Sequence, residues 1–216
     1  MATYADLKAR IIKETERQDL SDDLADILAI HIADAIEEYA DTRFWFNQVV
    51  QSVSTVADAQ SVAIPAAVRI VDRIAGPYGD LAPAILGQFT DDGDLDWTGS
   101  PTSYTYVDGD LRLFPIPNEA YALTVYGVAE VAAPTADADS SVWTNEAQAL
   151  IAAHTRMTLM RDQFRDESGA ALAANAVSMH LNRLRRGSDL RLRKRPVARL
   201  VGPTGQSVRM AWLDSL

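Results

Sequence analysis

The spacing of apolar residues changes twice along this chain. It is helical over residues 4–43, close to two over 47–133, and helical again over 143–187. An amphipathic helix and a half-buried strand need different periods, so each change marks a change of element type. Helices and strands are therefore segregated rather than alternating. That excludes a doubly wound parallel sheet and predicts an α+β fold. The expected architecture is a helical bundle, with two N-terminal and two C-terminal helices, that carries an inserted, mostly antiparallel β-domain. The expected division is 1–46 for the N-terminal helices, 47–133 for the β insertion, 143–187 for the C-terminal helices and 188–216 for an extended C-terminal arm.

The first helix is predicted from Tyr4 to Arg17, with Thr3 as its cap and Asp6 in the first turn, where a carboxylate suits the dipole. Leu7, Ile11 and Ile12 form its apolar stripe. The second is predicted from Asp22 to about Arg43 with Ser21 as cap, roughly 33 Å long. Leu24, Ile27, Leu28, Ile32, Ala35, Ile36 and Tyr39 recur at helical spacing, while Asp34, Glu37, Glu38 and Asp41 turn outward. Phe44-Trp45-Phe46 follows as a heavy apolar plug.

Within the insertion, residues 49–65 are rich in Val, Ser and Thr and read as a hairpin turning near Asp58. Residues 66–76 favour a strand, with Val68, Ile70, Asp72 and Ile74 on one face. Residues 80–89 suggest a short helix with Pro83 in its first turn. The strongest β signal is SYTYV-DG-DLRLFPIP (103–117), a hairpin whose Asp108-Gly109 pair demands a type I′ turn. AYALTVYGVAEV (120–131) makes a third strand, and APTADADSS (133–141) a linker.

In the C-terminal helices Leu150, Ala153, Met157, Met160 and Phe164 keep helical spacing after a cap at Thr144 or Asn145. Gly169 marks a bend or break. An Ala-rich helix with Ala173, Val177, Leu181 and Leu184 then runs to about Arg186. Beyond it, Leu190, Leu192, Ala198 and Leu200 alternate with Arg191, Arg193, Arg195 and Arg199; Lys194 lies among them, and Pro196 interrupts any helix. Val208, Met210 and Trp212 alternate again after a GPTG turn. The arm is expected to be an extended β-ribbon with one apolar and one basic side. An isolated ribbon is marginal in water, so it needs a partner. Leu190, Arg191, Leu192, Arg193, Lys194, Arg195, Arg199, Met210 and Trp212 are its candidate partner-binding residues.

Charge is divided the same way. Residues 1–182 hold 11 Lys and Arg against 28 Asp and Glu, a net of −17; residues 183–216 hold 9 against 2, a net of +7. An acidic body repels nucleic acid, and a basic tail attracts acidic surfaces. The absence of cysteine excludes disulfides, thiolate metal sites and thiol catalysis. No apolar run is long enough to span a bilayer and no signal-peptide layout is present, so a soluble protein with no membrane association is expected. His31 and His154 fall on apolar helical stripes as packed residues, and His180 is the third histidine. Asp92-x-Asp94-x-Asp96 has calcium-loop spacing, but Trp97 stands where the sharp turn needs Gly and Ser103 where the bidentate Glu belongs. A solvated turn is expected there. No nucleotide loop, nucleophile elbow or zinc-protease motif occurs, so neither an enzyme nor a cofactor is expected.

TYADLKARIIKETERQDLSDDL with its following helix ending in RFWFN, then AIPAAVRIVD, SPTSYTYVDGDLRLFPIPNEAYALTVYG and VWTNEAQALIAAHTRMTLMRD, together resemble the head–tail adaptor (connector, or head-completion) proteins of tailed bacteriophages. The resemblance covers most of residues 3–165, and the hairpin ending in Pro-x-Pro before Tyr121 is its most distinctive piece. It implies a virion protein of the head–tail interface, made in the host cytoplasm. It also implies a ring, commonly of twelve subunits, beneath the portal protein. Such a ring extends the DNA channel and offers a surface to tail, stopper or nozzle proteins, and C-terminal segments in such proteins often embrace the portal. The arginine strip matches no motif of these proteins. It is expected to dock on the portal or a neighbouring subunit, while packaged DNA passes the acidic body without specific binding. The alternative is a nucleic-acid-binding module using the basic ribbon. A carboxylate or metal hydrolase is a third reading, resting on Asp92 and Asp94.

Overall fold

The computed structural model describes residues 1–16, 24–87 and 97–193. Helix α1 spans Tyr4–Thr15. Its cap is reciprocal: the Thr3 hydroxyl accepts from the Asp6 amide at 3.2 Å, and the Asp6 carboxylate accepts from the Thr3 amide at 2.9 Å. Those bonds hold the Asp6 carboxyl below its ordinary range. Helix α2 spans Ala25–Ala40. It is shorter than expected, about 24 Å. The expected cap Ser21 lies outside the described residues. At the other end the chain leaves the helix after Ala40 because Asn47 organises a corner: its side chain accepts from the Phe44 amide and donates to the Thr42 carbonyl, both at 2.8 Å. Glu37 and Asp41 do not simply face solvent. Both bind the Arg69 guanidinium, and Arg43 pairs with Asp72, so two arginines tie α2 to the sheet.

Among the described residues ten strands follow: β1 (Gln48–Ser54), β2 (Ser61–Ala63), β3 (Val68–Gly76), β4 (Gly79–Asp80), β5 (Ala82–Pro83), β6 (Thr98–Gly99), β7 (Ser103–Val107), β8 (Asp110–Phe114), β9 (Ile116–Pro117) and β10 (Ala122–Ala129). They form sheets ordered β1-β10-β3-β4 and β2-β8-β7-β5, plus the pair β6-β9. Val62, Tyr104, Leu111 and Leu113 from one sheet and Ile74, Leu123 and Val125 from the other make one core. The β7-β8 hairpin forms as expected, with φ of 54° at Asp108 and 87° at Gly109, a type I′ signature.

Two local expectations fail in this region. Residues 49–65 are not a hairpin: β1 pairs with β10 along its whole length while β2 pairs with β8. Period two shows that a segment is a strand but not which strand it joins. The expected third strand forms as β10, and it lies between β1 and β3 rather than beside the β7-β8 hairpin. In residues 80–89 the expected helix does not begin at Pro83: 82–83 form a short strand, helix appears only at 86–87, and 88–89 lie outside the described residues. Ala82 and Ala84 donate to the Thr102 and Tyr104 carbonyls at 2.8 Å, and Pro83 sits between them where no N–H is needed.

The chain then returns to helix. Helix α3 (Val142–Asn145) is capped at Ser141, and α4 spans Gln148–Thr158. Thr144 and Asn145 therefore do not cap the long helix. Instead the Thr144 hydroxyl donates to the Ala2 carbonyl and the Asn145 side chain accepts from the Ala2 amide, fastening the N-terminus. Helix α4 lies against α1, α2 and α5 in the main core with Leu7, Ile11, Ile32, Ile36, Trp143 and Ile151. A π-helical turn (Leu159–Gln163) and Arg165 at φ 53° break the rod before Gly169. Helix α5 then spans Glu167–Arg193, 27 residues and about 40 Å. Gly169 lies in its first turn, where its amide donates to Asp166 at 2.9 Å and an added Cβ would fall 2.4 Å from the same carboxylate.

Candidate functional site

The strand expected from residue 190 is corrected over residues 190–193. Helix α5 does not stop near Arg186; it continues to Arg193. The reason is Trp45. Gly187 is not a helix terminator but a gap for that indole: a Cβ there would stand 3.0 Å from the ring. At the next residue, the buried Ser188 hydroxyl donates to the Leu184 carbonyl at 3.1 Å and accepts from the Trp45 amide at 3.2 Å. Another turn on, the Arg191 guanidinium sits over the Trp45 ring, 4.2 Å from its centroid. Positions 184, 187, 188 and 191 share one helical face, so contact with Trp45 imposes period 3.6 on a stretch that also fits period two.

Trp45 is itself held by edge-to-face contact with Phe46, at 5.1 Å between centroids, and Phe46 by Trp143 at 5.8 Å. The aromatic plug expected at 44–46 thus anchors the end of the longest helix to the core of the bundle.

Beside this contact lies an open groove of about 840 Å³ between α1, the start of α4 and the C-terminal half of α5. Arg10, Arg183, Arg186 and Arg191 line it, together with Met179 and Leu190. Arg10 also pairs with Glu14 at 2.7 Å. Arg183 and Arg186 are exposed and form no ion pair among the described residues. Burial, followed by the positive charges of Arg10 and Arg183, depresses the His180 pKa.

Of the residues singled out in the sequence, Leu190 and Arg191 meet at this groove. Leu192 and Arg193 end α5. Lys194, Arg195, Arg199, Met210 and Trp212 lie outside the described residues. Sequence reasoning missed Trp45, Met179 and Arg10 as groove residues. Gly187-Ser188 was the available signal, because a small pair inside a helix invites a large neighbour.

Other candidate residues are packed. His154 Nδ1 shares a 2.8 Å hydrogen bond with the Tyr39 hydroxyl, and burial lowers its pKa. Burial, reinforced by Glu38, pushes the Tyr39 phenol up to about 12. Tyr104 is buried and Tyr106 exposed, their rings edge to face at 6.1 Å. The carboxylates Asp91, Asp92, Asp94 and Asp96 lie outside the described residues. Among the described residues no group of three or more His, Asp or Glu is placed to hold a metal ion, and no helix is long and apolar enough to cross a membrane.

The groove is therefore suited to binding a macromolecular surface. It is open and lined by four arginines against one carboxylate, Glu146, with Met179 and Leu190 among its apolar residues. No curated protein matches the chain. A family model described as SU10 adaptor protein matches residues 2–203, spanning the helical bundle, the β insertion and the groove. The chain belongs to the SU10 adaptor protein family, and is thus a structural adaptor of a phage virion.

Proposed function

We propose that this adaptor acts at the head–tail interface as a ring beneath the portal protein, commonly of twelve copies in adaptors of this kind. The ring extends the DNA channel and presents a surface to tail, stopper or nozzle proteins. The observation that carries this reading is the separation of charge along the chain, −17 over residues 1–182 and +7 over 183–216, with the start of the basic part held rigidly by Trp45. An acidic wall repels phosphates and lets DNA slide, whereas a basic wall would retain it with steep salt dependence. The basic C-terminal part is left for protein. Leu190 and Arg191 on α5, with Leu192, Arg193, Lys194, Arg195, Arg199, Met210 and Trp212 beyond them, form the docking segment for the portal or a neighbouring subunit.

The test is negative-stain microscopy of the full chain with and without its portal protein. A second chain truncated after Arg193 keeps all of α5 and removes the remaining docking residues. Rings stacked on the portal with the full chain, lost on truncation, are the expected result. Absence of any ring or portal complex with the full chain refutes the proposal. The nucleic-acid alternative is checked by DNA retention against salt: steep, specific retention by the full chain would favour it instead.

A further inference from the structure

Helix α5 has a long face with no partner among the described residues. Leu172, Met179, Arg183, Arg186 and Leu190 follow one another at intervals of 7, 4, 3 and 4, so they form one stripe. All are exposed, Met179 at 60% and Leu190 at 59%. The stripe is apolar at its two ends and doubly cationic between them. Arg10 and Arg191 add positive charge along its edges.

Helix α2 carries the complement. Between Ala25 and Ala40 it has no Lys or Arg. Asp26, Ile30 and Asp34 lie one turn apart on one exposed face, and Ile30 is 59% exposed. Glu37 and Asp41 of α2 are engaged by Arg69, whereas Asp26 and Asp34 form no ion pair among the described residues. Asp26 and Asp34 are about 12 Å apart along α2 and Arg183 and Arg186 about 4.5 Å apart along α5, a difference covered when the two long arginine side chains reach outward to the carboxylates and leave Ile30 over their apolar stems.

A closed ring needs two different, mutually complementary patches on each subunit, since a heterologous contact joins the front of one copy to the back of the next. We infer that the α5 groove takes helix α2 of a neighbouring copy of this chain. In that contact Ile30 lies over the middle of the stripe, between Met179 and Leu190, and Arg183 and Arg186 extend outward on either side of it to Asp26 and Asp34. The inference rests on the ring reading above and specifies its subunit contact. It leaves residues beyond Arg193 for the portal.

The chain has no cysteine, so cross-linking has no background. Ile30 lies about 8 Å along the axis from Leu190 in this contact, too far for a disulfide, so full-length Ile30→Cys and Leu190→Cys chains are mixed and treated with a flexible bis-maleimide, with Tyr78→Cys, exposed on the β3–β4 turn, replacing either as control. A 30–190 cross-link between copies, at least ten-fold over the Tyr78 controls, is expected. In parallel, Arg183→Glu with Arg186→Glu, or Asp26→Arg with Asp34→Arg, should each cut self-association at least ten-fold by sedimentation, while all four changes in one chain restore it. Circular dichroism confirms that each variant folds. Rings without the 30–190 link overturn this contact and leave the ring reading standing. No self-association with or without portal overturns both. Intact rings together with loss of salt-steep DNA retention in the arginine variant overturn it in favour of nucleic acid.

Discussion

Replacing Trp45 by Ala removes the contact that carries α5 past Gly187. Truncating a fully buried Trp or Phe costs about 3–5 kcal/mol. Trp45 is half-buried, so roughly 2 kcal/mol is expected from lost burial together with its edge contact with Phe46. The Arg191 guanidinium over the ring adds about 0.5–1 kcal/mol at such an exposed site. The expected loss is therefore about 2–3 kcal/mol, which for a chain of this size lowers the midpoint of thermal unfolding by roughly 5–10 °C. The damage is also local. Gly187 loses the surface it packs against, and the helix after Leu184 frays, so far-UV circular dichroism should report fewer helical residues before global melting begins. Trp45→Phe keeps a ring against Phe46 and Arg191 and should lose about half as much. Urea unfolding monitored by circular dichroism decides the matter. A change below about 0.5 kcal/mol in Trp45→Ala, with unchanged helicity, would refute the claim that the indole holds the end of α5.

Three further outcomes follow from particular contacts. Gly127→Ala in β10 places a Cβ 2.0 Å from the Ile70 carbonyl oxygen, backbone against backbone; the strand should lose at least about 2 kcal/mol by urea melts, and a neutral result would contradict the register at that bulge. Gly109→Val forces a β-branched residue to φ +87° in the type I′ turn, so a loss of about 1–2 kcal/mol is expected. His154 is held below its ordinary 6.5 by burial, so the unfolded chain binds its proton first as pH falls. Stability should decline as pH drops below about 6.5, and a His154→Asn chain should show a shallower decline between pH 7 and 5; equal slopes would show that His154 is not the group responsible.

Much of the fold was legible in residues alone. The two changes of period fix α+β, the Thr3–Asp6 pair fixes the first helix start, and Asp108-Gly109 fixes a type I′ hairpin, because each is a local rule that neighbouring residues satisfy by themselves. Charge separation and the absence of cysteine were likewise plain in the sequence. Tertiary structure decided what local rules leave open. Strand partners are long-range, so β1 joins β10 and β2 joins β8, although both segments lie close together in sequence. Residues 187–193 fit either period, and a single indole some 140 positions earlier selects the helix. Gly187 lies inside that helix, as a socket for Trp45. The basic stripe of α5 and the acidic stripe of α2 stand as outward faces because another side of each helix, with Leu184 on α5 and Leu28, Ile32 and Ile36 on α2, packs into one core.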